Sequence, residues 1–145
     1  MITTWCGDRV DPFNMAAEDI NIDDIAHSLS RICRYGGHVD NYLSVARHSI
    51  WVQSRLRNIG CGNETQMWGL LHDATEAYLG DVTSPIKYAP EMAAFVAAEA
   101  RLHLAVHRIG RAPADRVVGM VLKHPLPCRA DQALGILRTR HCCRA

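Results

Sequence analysis

Apolar residues recur at helical spacing in three stretches of the first half of the chain. In the first stretch Ile22, Ile25 and Leu29 fall on one stripe, and Asn21 before them is a suitable N-cap. This pattern predicts a helix from about Asn21 to the glycine pair at 36–37, which would end it. The next two stretches predict helices over about 43–58 and 64–79.

Turn-forming residues divide the rest of the chain. Gly80 ends the third predicted helix, and Pro85 is expected to keep the next loop out of helical geometry until about Pro90. Residues 1–20 contain many turn formers and predict an irregular or short extended lead-in. No stretch alternates convincingly as a strand would, so we expect an all-α protein, one compact helical bundle over residues 1–145. The remaining helices are predicted over about 90–109, 113–123 and 128–140.

Charge and composition narrow the function class. The chain has 16 basic and 15 acidic residues, hence a formal net charge of +1, which argues against the wide basic face of a protein that binds nucleic-acid polymers. No apolar run reaches the roughly 20 residues that a transmembrane helix needs. The first residues also lack the basic and apolar regions of a signal peptide. We therefore expect a cytoplasmic protein without a membrane or nucleic-acid partner.

Residue types that bind metal ions recur in the predicted helices. His48, the adjacent pair His72 and Asp73, and Asp131 supply two imidazoles and two carboxylates. Such a set suits a divalent cation and leaves coordination positions for water and substrate. A lone histidine in an amphipathic helix more often caps, hydrogen-bonds or faces solvent. Because the His-Asp pair follows an apolar run at 67–71, the sequence favours a site for zinc, cobalt, manganese or magnesium.

Several other polar residues are placed to act on a phosphate. Glu76 lies within one helical turn of His72 and Asp73 and is the candidate general acid or base; an ordinary surface glutamate is the alternative. Asp81 and Lys87 follow in the loop, where they would hold a hydroxyl or water and neutralise phosphate charge, or be solvated.

A basic-aromatic-glycine run closes the first predicted helix. Arg34 is a candidate phosphate ligand, Tyr35 a candidate stacking partner for a base or sugar, and Gly36 and Gly37 let a ligand approach the backbone. An arginine favoured by the helix dipole is the competing interpretation of Arg34. His103 and His107 have the spacing of a zinc pair but no third ligand in a known motif, so we expect a structural or surface role for them.

The segment HDATEAYLGDVTSPIKY, residues 72–88, resembles the metal-and-loop motif of the HD-domain metal-dependent phosphohydrolases. It is closest to that of bacterial 5′-deoxynucleotidases, where the His-Asp pair is followed by a glutamate at the same offset and a GD-x-x-(S/T)-P-x-K-Y loop. The sequence of residues 21–49 is similar to the corresponding sequence of phage-encoded members, including dATP triphosphohydrolases. The resemblance runs from about residue 20 to residue 138 and implies the helical bundle of the HD domain. It is weakest between 91 and 128.

The resemblance implies a role for each matching residue. The family's catalytic glutamate matches Glu76, its aspartate beside substrate and water matches Asp81, and its loop lysine matches Lys87. Arg34 and Tyr35 match an Arg-aromatic pair that contacts phosphate and sugar or base. Relatives often have Trp where this chain has Tyr35, and the chain ends soon after Asp131, so a truncated last helix is expected. The implied metal ligands are His48, His72, Asp73 and Asp131.

Three functions follow as expectations. The first is a dATP triphosphohydrolase that releases deoxyadenosine and triphosphate, with a role in phage nucleotide-pool control in the host cytoplasm. The second is a 5′-deoxynucleotidase, which hydrolyses monophosphates with the same ligands. The third is a catalytically silent nucleotide-binding module of the HD type. For any of them a deoxynucleotide is the expected ligand, and a homo-oligomer, dimer or hexamer, is the expected assembly.

Overall fold

The computed structural model describes residues 1–109 and 118–119 and is mostly helical over them. The expected all-α class is confirmed at this level. Three short 3-10 turns lie at Ala17–Asp19, Arg34–Gly37 and Pro90–Met92. The strands and helices are β1 (Ile2–Thr3), β2 (Arg9–Val10), α1 (Ile22–Arg31), α2 (Val45–Asn58), α3 (Asn63–Leu71), α4 (Glu76–Leu79), α5 (Ser84–Lys87) and α6 (Ala93–Ile109).

The lead-in contains a small hairpin, within the short extended structure that the sequence predicts. β1 and β2 pair antiparallel, with Ile2 opposite Val10. The backbone N–H of Cys6 in the hairpin turn donates to the buried Asp24 Oδ1 at 2.7 Å, which fastens the hairpin to α1. This carboxylate satisfies a turn donor that two short strands leave unpaired.

α1 begins where the sequence predicted but ends several residues before the predicted end. The Asn21 side chain accepts the Asp23 N–H and caps the first turn. The helix stops at Arg31 because Ile32 becomes extended and pairs with the entry to α2, where Val45 N–H donates to its carbonyl at 3.0 Å. The expected end at the glycine pair 36–37 is wrong. Arg34 therefore opens a 3-10 turn instead of closing the helix.

α2 and α3 pack closely because Gly69 has no side chain. A Cβ at Gly69 would overlap Leu56 Cδ1 and would lie 3.1 Å from Val52 Cγ1, both on α2. Beside this contact, the buried Gln53 donates to Gln66 Oε1 at 2.9 Å. α1, α4 and α6 cover the remaining faces. The core is formed by Val10, Ile20, Ile25, Ala26, Leu29, Val45, Ala46, Met67, Leu70, Leu71, Ala74, Tyr78, Leu102 and Val106.

The helix predicted over 64–79 is interrupted, which is a second correction. α3 ends at Leu71 and α4 starts at Glu76, and the residues between them form successive turns. Ala74 N–H donates to Leu71 O, and Glu76 N–H donates to Asp73 O, so the bonds span three residues instead of four. This tightening re-aims the side chains of His72 and Asp73.

The loop after Gly80 is more helical than Pro85 suggested. α5 is a single turn with Pro85 in its first positions, where proline is tolerated, so the expectation of a non-helical loop up to Pro90 is wrong. The helix predicted over about 90–109 is confirmed as a 3-10 turn followed by α6. Val118 and Gly119 are helical, within the helix predicted over 113–123, whereas the one predicted over 128–140 lies outside the described residues. Within the described part of the chain, no helix is long and apolar enough to cross a bilayer.

Candidate metal centre

Three of the four predicted ligands converge where the first turn of α2 lies beside the end of α3. His48 lies on the first turn of α2, and His72 and Asp73 lie in the turns after α3. One donor atom of each residue lies within 4.8 Å of the other two, and all three side chains are half-buried. The fourth predicted ligand, Asp131, lies outside the described residues.

His72 is oriented by the backbone of its own helix. Its Nδ1 lies 2.8 Å from the carbonyl oxygen of Gly69, so Nδ1–H donates there and Nε2 faces the cluster. Metal-binding histidines commonly have such a partner on the second ring nitrogen, since it fixes the tautomer. Nε2 lies 3.0 Å from Asp73 Oδ2, and this hydrogen bond raises the pKa of His72 in spite of its partial burial.

The pKa of His48 is shifted in the opposite direction. Its Nε2 lies 3.2 Å from His72 Nε2 and 3.7 Å from Asp73 Oδ2. Burial, followed by the charge of Arg34, lowers the pKa of His48 to about 4. A neutral imidazole has a lone pair to offer, which is the form that binds metal.

Asp73 carries the negative charge of the cluster. Burial alone would raise its pKa, but the hydrogen bond from His72 and the charges of His72 and Arg34 together lower it. Arg34 Nη1 donates to Asp73 Oδ2 at 3.1 Å. Arg34 is therefore in contact with one of the candidate metal ligands, where a phosphate-binding arginine would need to lie.

Glu76 adds a buried carboxyl group beside the cluster. Its Oε2 is shielded from solvent and has no hydrogen-bond partner among the residues that the structure describes. Burial, and then the charges of Asp73 and Asp81, raise the pKa of Glu76 to about 8. A buried carboxyl oxygen of this kind is free to accept a hydrogen bond from, or donate one to, a water or a ligand.

The two loop residues differ in their surroundings. Asp81 is half-buried, and its negative charge contributes to the raised pKa of the Glu76 carboxyl group. Lys87, predicted to neutralise phosphate, instead forms an ion pair with Glu99 Oε1 on α6 at 2.7 Å. The ammonium group would have to exchange this carboxylate for a phosphate in order to bind substrate.

The 3-10 turn that carries Arg34 has unusual backbone geometry. Tyr35, Gly36 and Gly37 have φ values of 57°, 60° and 84°, all in the left-handed region. Glycine adopts this region freely, whereas tyrosine does so rarely. The Tyr35 ring is 55% exposed, and the Arg34 guanidinium lies 5.1 Å from its centroid.

The cluster is also bordered by residues of α3 and α6 for which the sequence predicted no functional role. Trp68 lies one helical turn before His72, and their ring centroids are 6.4 Å apart. His107 lies 6.4 Å from the same indole, and His103 lies 6.0 Å from His107. Burial lowers the pKa of His103. The four-residue spacing of Glu99, His103 and His107 puts them on one face of α6, and this spacing was the available signal.

The donor set fits a divalent cation. Two imidazole nitrogens and a carboxylate oxygen converge, which is the number of protein ligands in many catalytic zinc sites, and further positions stay open. Within the described part of the chain, Glu76 Oε2 has no hydrogen-bond partner and lies close to these candidate ligands.

Comparison with known proteins gives relatives without an assigned activity. No family model matches the chain. The uncharacterized protein YfdR of Escherichia coli is 38% identical over 86 residues, which are 59% of this chain and 46% of YfdR. An uncharacterized protein of Rhodobacter capsulatus is 39% identical over 105 residues, which are 70% of this chain and 53% of that protein. The chain thus spans about half the length of these curated relatives.

Proposed function

We propose that the protein is a divalent-metal-dependent phosphohydrolase of deoxynucleotides, with the helical architecture of the HD domain. The observation that carries the proposal is the convergence of His48, His72 and Asp73 beside Arg34 and the buried carboxyl group of Glu76. A divalent cation at such a site polarises a phosphoryl oxygen and makes water more acidic.

The proposed reaction is hydrolysis of dATP to deoxyadenosine and triphosphate. Water adds to the α-phosphorus, the bond from phosphorus to O5′ breaks, and the leaving O5′ takes up a proton. Glu76 is suited to donate this proton, since its raised pKa keeps it protonated at neutral pH in the metal-free protein. Arg34, already next to the ligands, binds the phosphate charge.

The proposal is tested by product analysis on an ion-exchange column. The purified protein is supplied with Mn²⁺, Co²⁺, Zn²⁺ or Mg²⁺ in turn and incubated with each dNTP and each dNMP separately. Triphosphate and deoxyadenosine from dATP are the expected products. Orthophosphate from monophosphates alone would replace this reaction by that of a 5′-deoxynucleotidase, and absence of turnover with every metal would overturn the enzymatic proposal in favour of a binding module.

Matched variants then assign the activity to the site. Asp73→Ala and Glu76→Gln should each lower kcat by at least about 100-fold, the usual scale for loss of an acid-base group. The controls are Asp40→Ala and Glu64→Gln, because both residues are exposed and in none of the contacts described above. Full activity in either site variant would remove the role assigned to that residue.

A further inference from the structure

Trp68 is a large aromatic residue that stays exposed beside a charged cluster. Its side chain is 56% exposed, although α3 buries its neighbours Met67 and Leu70. Because Trp68 and His72 are four residues apart, their side chains share one face at the end of α3. The indole therefore lies in ring contact with His72, one of the three residues whose donor atoms converge.

α6 provides a second aromatic group on the same indole. The rings of Trp68 and His107 are inclined by 18°, and those of Trp68 and His72 by 28°, so both imidazoles are nearly parallel to the indole. Their centroid distances of 6.4 Å are near the upper end of the range for aromatic pairs, about 7 Å. The Trp68 side chain nevertheless stays 56% exposed, so part of the indole is open for a flat ring to stack on.

The position of this indole matches the shape of a nucleotide. One sugar separates the base of a nucleotide from its 5′-phosphate, and Trp68 lies in ring contact with one of the candidate metal ligands, His72. The Tyr35 ring is also exposed near the site, but it lies against the guanidinium of Arg34. It is thus placed at the phosphate-binding arginine, whereas Trp68 lies on the His72 side of the cluster.

We propose that Trp68, together with His107, binds the nucleobase of the substrate by stacking and favours purines over pyrimidines. This inference rests on the proposed nucleotide phosphohydrolase function and adds the specificity-determining residues to it. The preference follows from area, because a two-ring base covers more of the indole than a one-ring base. Stacking requires no hydrogen bond to a base edge, so adenine and guanine are both accepted.

Fluorescence tests the stacking without metal or turnover. The variant Trp5→Phe/Trp51→Phe leaves Trp68 as its single tryptophan, and Trp51→Phe/Trp68→Phe leaves Trp5, which is equally exposed at 58% but lies in the hairpin turn and stacks on His27. Deoxyadenosine, added in the presence of EDTA, should quench Trp68 emission to saturation and leave Trp5 emission unchanged. The absence of quenching in the first variant, or equal quenching in both, would overturn the proposal.

Kinetics tests the preference in the metal-supplemented enzyme. Trp68→Ala should lower kcat/KM for dATP by roughly 5- to 150-fold, the scale of one base stacked on an aromatic ring, through KM more than kcat. The loss for dCTP should be smaller, and Trp5→Ala in the hairpin turn should change neither value. An equal loss for dATP and dCTP would contradict the assignment.

The two proposals fail in different ways. Saturable quenching of Trp68 without turnover of any nucleotide would remove the phosphohydrolase and keep the base site. Turnover without quenching, and without an effect of Trp68→Ala, would remove the base site and keep the phosphohydrolase.

Discussion

Glu76 illustrates how the surroundings of a single residue can oppose its ionisation. Its carboxyl group is shielded from water, lies in the field of Asp73 and Asp81, and has an oxygen without a partner among the described residues. Ionisation of such a group in the folded chain is unfavourable, since charge is desolvated and repelled. In the proposed reaction, this cost would keep a proton available for transfer at neutral pH.

The first prediction concerns the pH dependence of stability in the metal-free protein. The pKa of Glu76 is about 8 when folded, against an ordinary value of 4.5, so the folded state holds an extra proton between these values. Stability must therefore fall as pH rises through this window. Glu76→Gln should raise the melting temperature relative to the wild type at about pH 8 and have little effect near pH 5.

Thermal melts in EDTA across this range check the prediction, with Glu64→Gln as the exposed control. A constant difference between Glu76→Gln and the wild type at all pH values would show that the carboxyl group is not the cause.

The second prediction concerns the proton on His72. Its hydrogen bond to Asp73 raises its pKa, so a cation that binds Nε2 competes with a proton for this nitrogen. Metal affinity should therefore weaken as pH falls, and binding at acidic pH should release protons. Calorimetric titration with Mn²⁺ in buffers of different ionisation enthalpy measures both quantities. An affinity independent of pH, with no proton released, would exclude His72 as a ligand.

Sequence patterns predicted the helices better than the breaks between them. The apolar stripes located α1 and α2, since a periodic pattern follows directly from burial of one face, and the start and stop signals around 90–109 located α6. They did not predict the turns at 72–75, because local propensity does not record that Gly69 O and Arg34 hold the side chains there. The end of α1 was also missed, because it depends on pairing between Ile32 and Val45.

The third prediction concerns the contact between α2 and α3. A valine at Gly69 would overlap Leu56 and crowd Val52, and overpacking of this kind typically costs about 1–3 kcal/mol. Gly69→Val should lower the free energy of unfolding by this amount and weaken Mn²⁺ binding, because α2 carries His48 and α3 leads into His72.

Urea unfolding and calorimetric titration test both effects. Gly62→Ala is the control, since Gly62 is the N-cap of the same helix, α3, but a Cβ there would meet no other atom. Unchanged metal affinity in a destabilised Gly69→Val protein would separate the helix contact from the site.

For the whole molecule, the sequence predicted which side chains converge more fully than it predicted their surroundings. The residue types of His48, His72 and Asp73 suggested a common site, and the structure brings their donor atoms together. Metal binding at this site stays a prediction. The pairing of Lys87 with Glu99 and of Trp68 with His107 joins elements that are distant along the chain, and no local pattern records it. The role of Asp131 and the oligomeric state stay predictions.

The fourth prediction concerns the global stability of the chain. A cation bound by His48, His72 and Asp73 would join α2 to the turns after α3, and binding to the folded state alone stabilises it. Metal at 100 times its Kd should add about 2.7 kcal/mol to the free energy of unfolding. Asp73→Ala should lose most of this gain and Asp40→Ala should keep it. Equal stabilisation of both variants would place the ion elsewhere.

The left-handed backbone of Tyr35 bears on how this protein would respond to selection in the laboratory. A non-glycine residue at φ 57° is held there by its surroundings at a cost of order 1–3 kcal/mol. Selection for heat resistance alone should replace Tyr35 with glycine or asparagine, which accept this geometry. If Tyr35 contacts the substrate as proposed from the resemblance, selection for turnover should retain the tyrosine. The two kinds of selection should then favour different residues at this position.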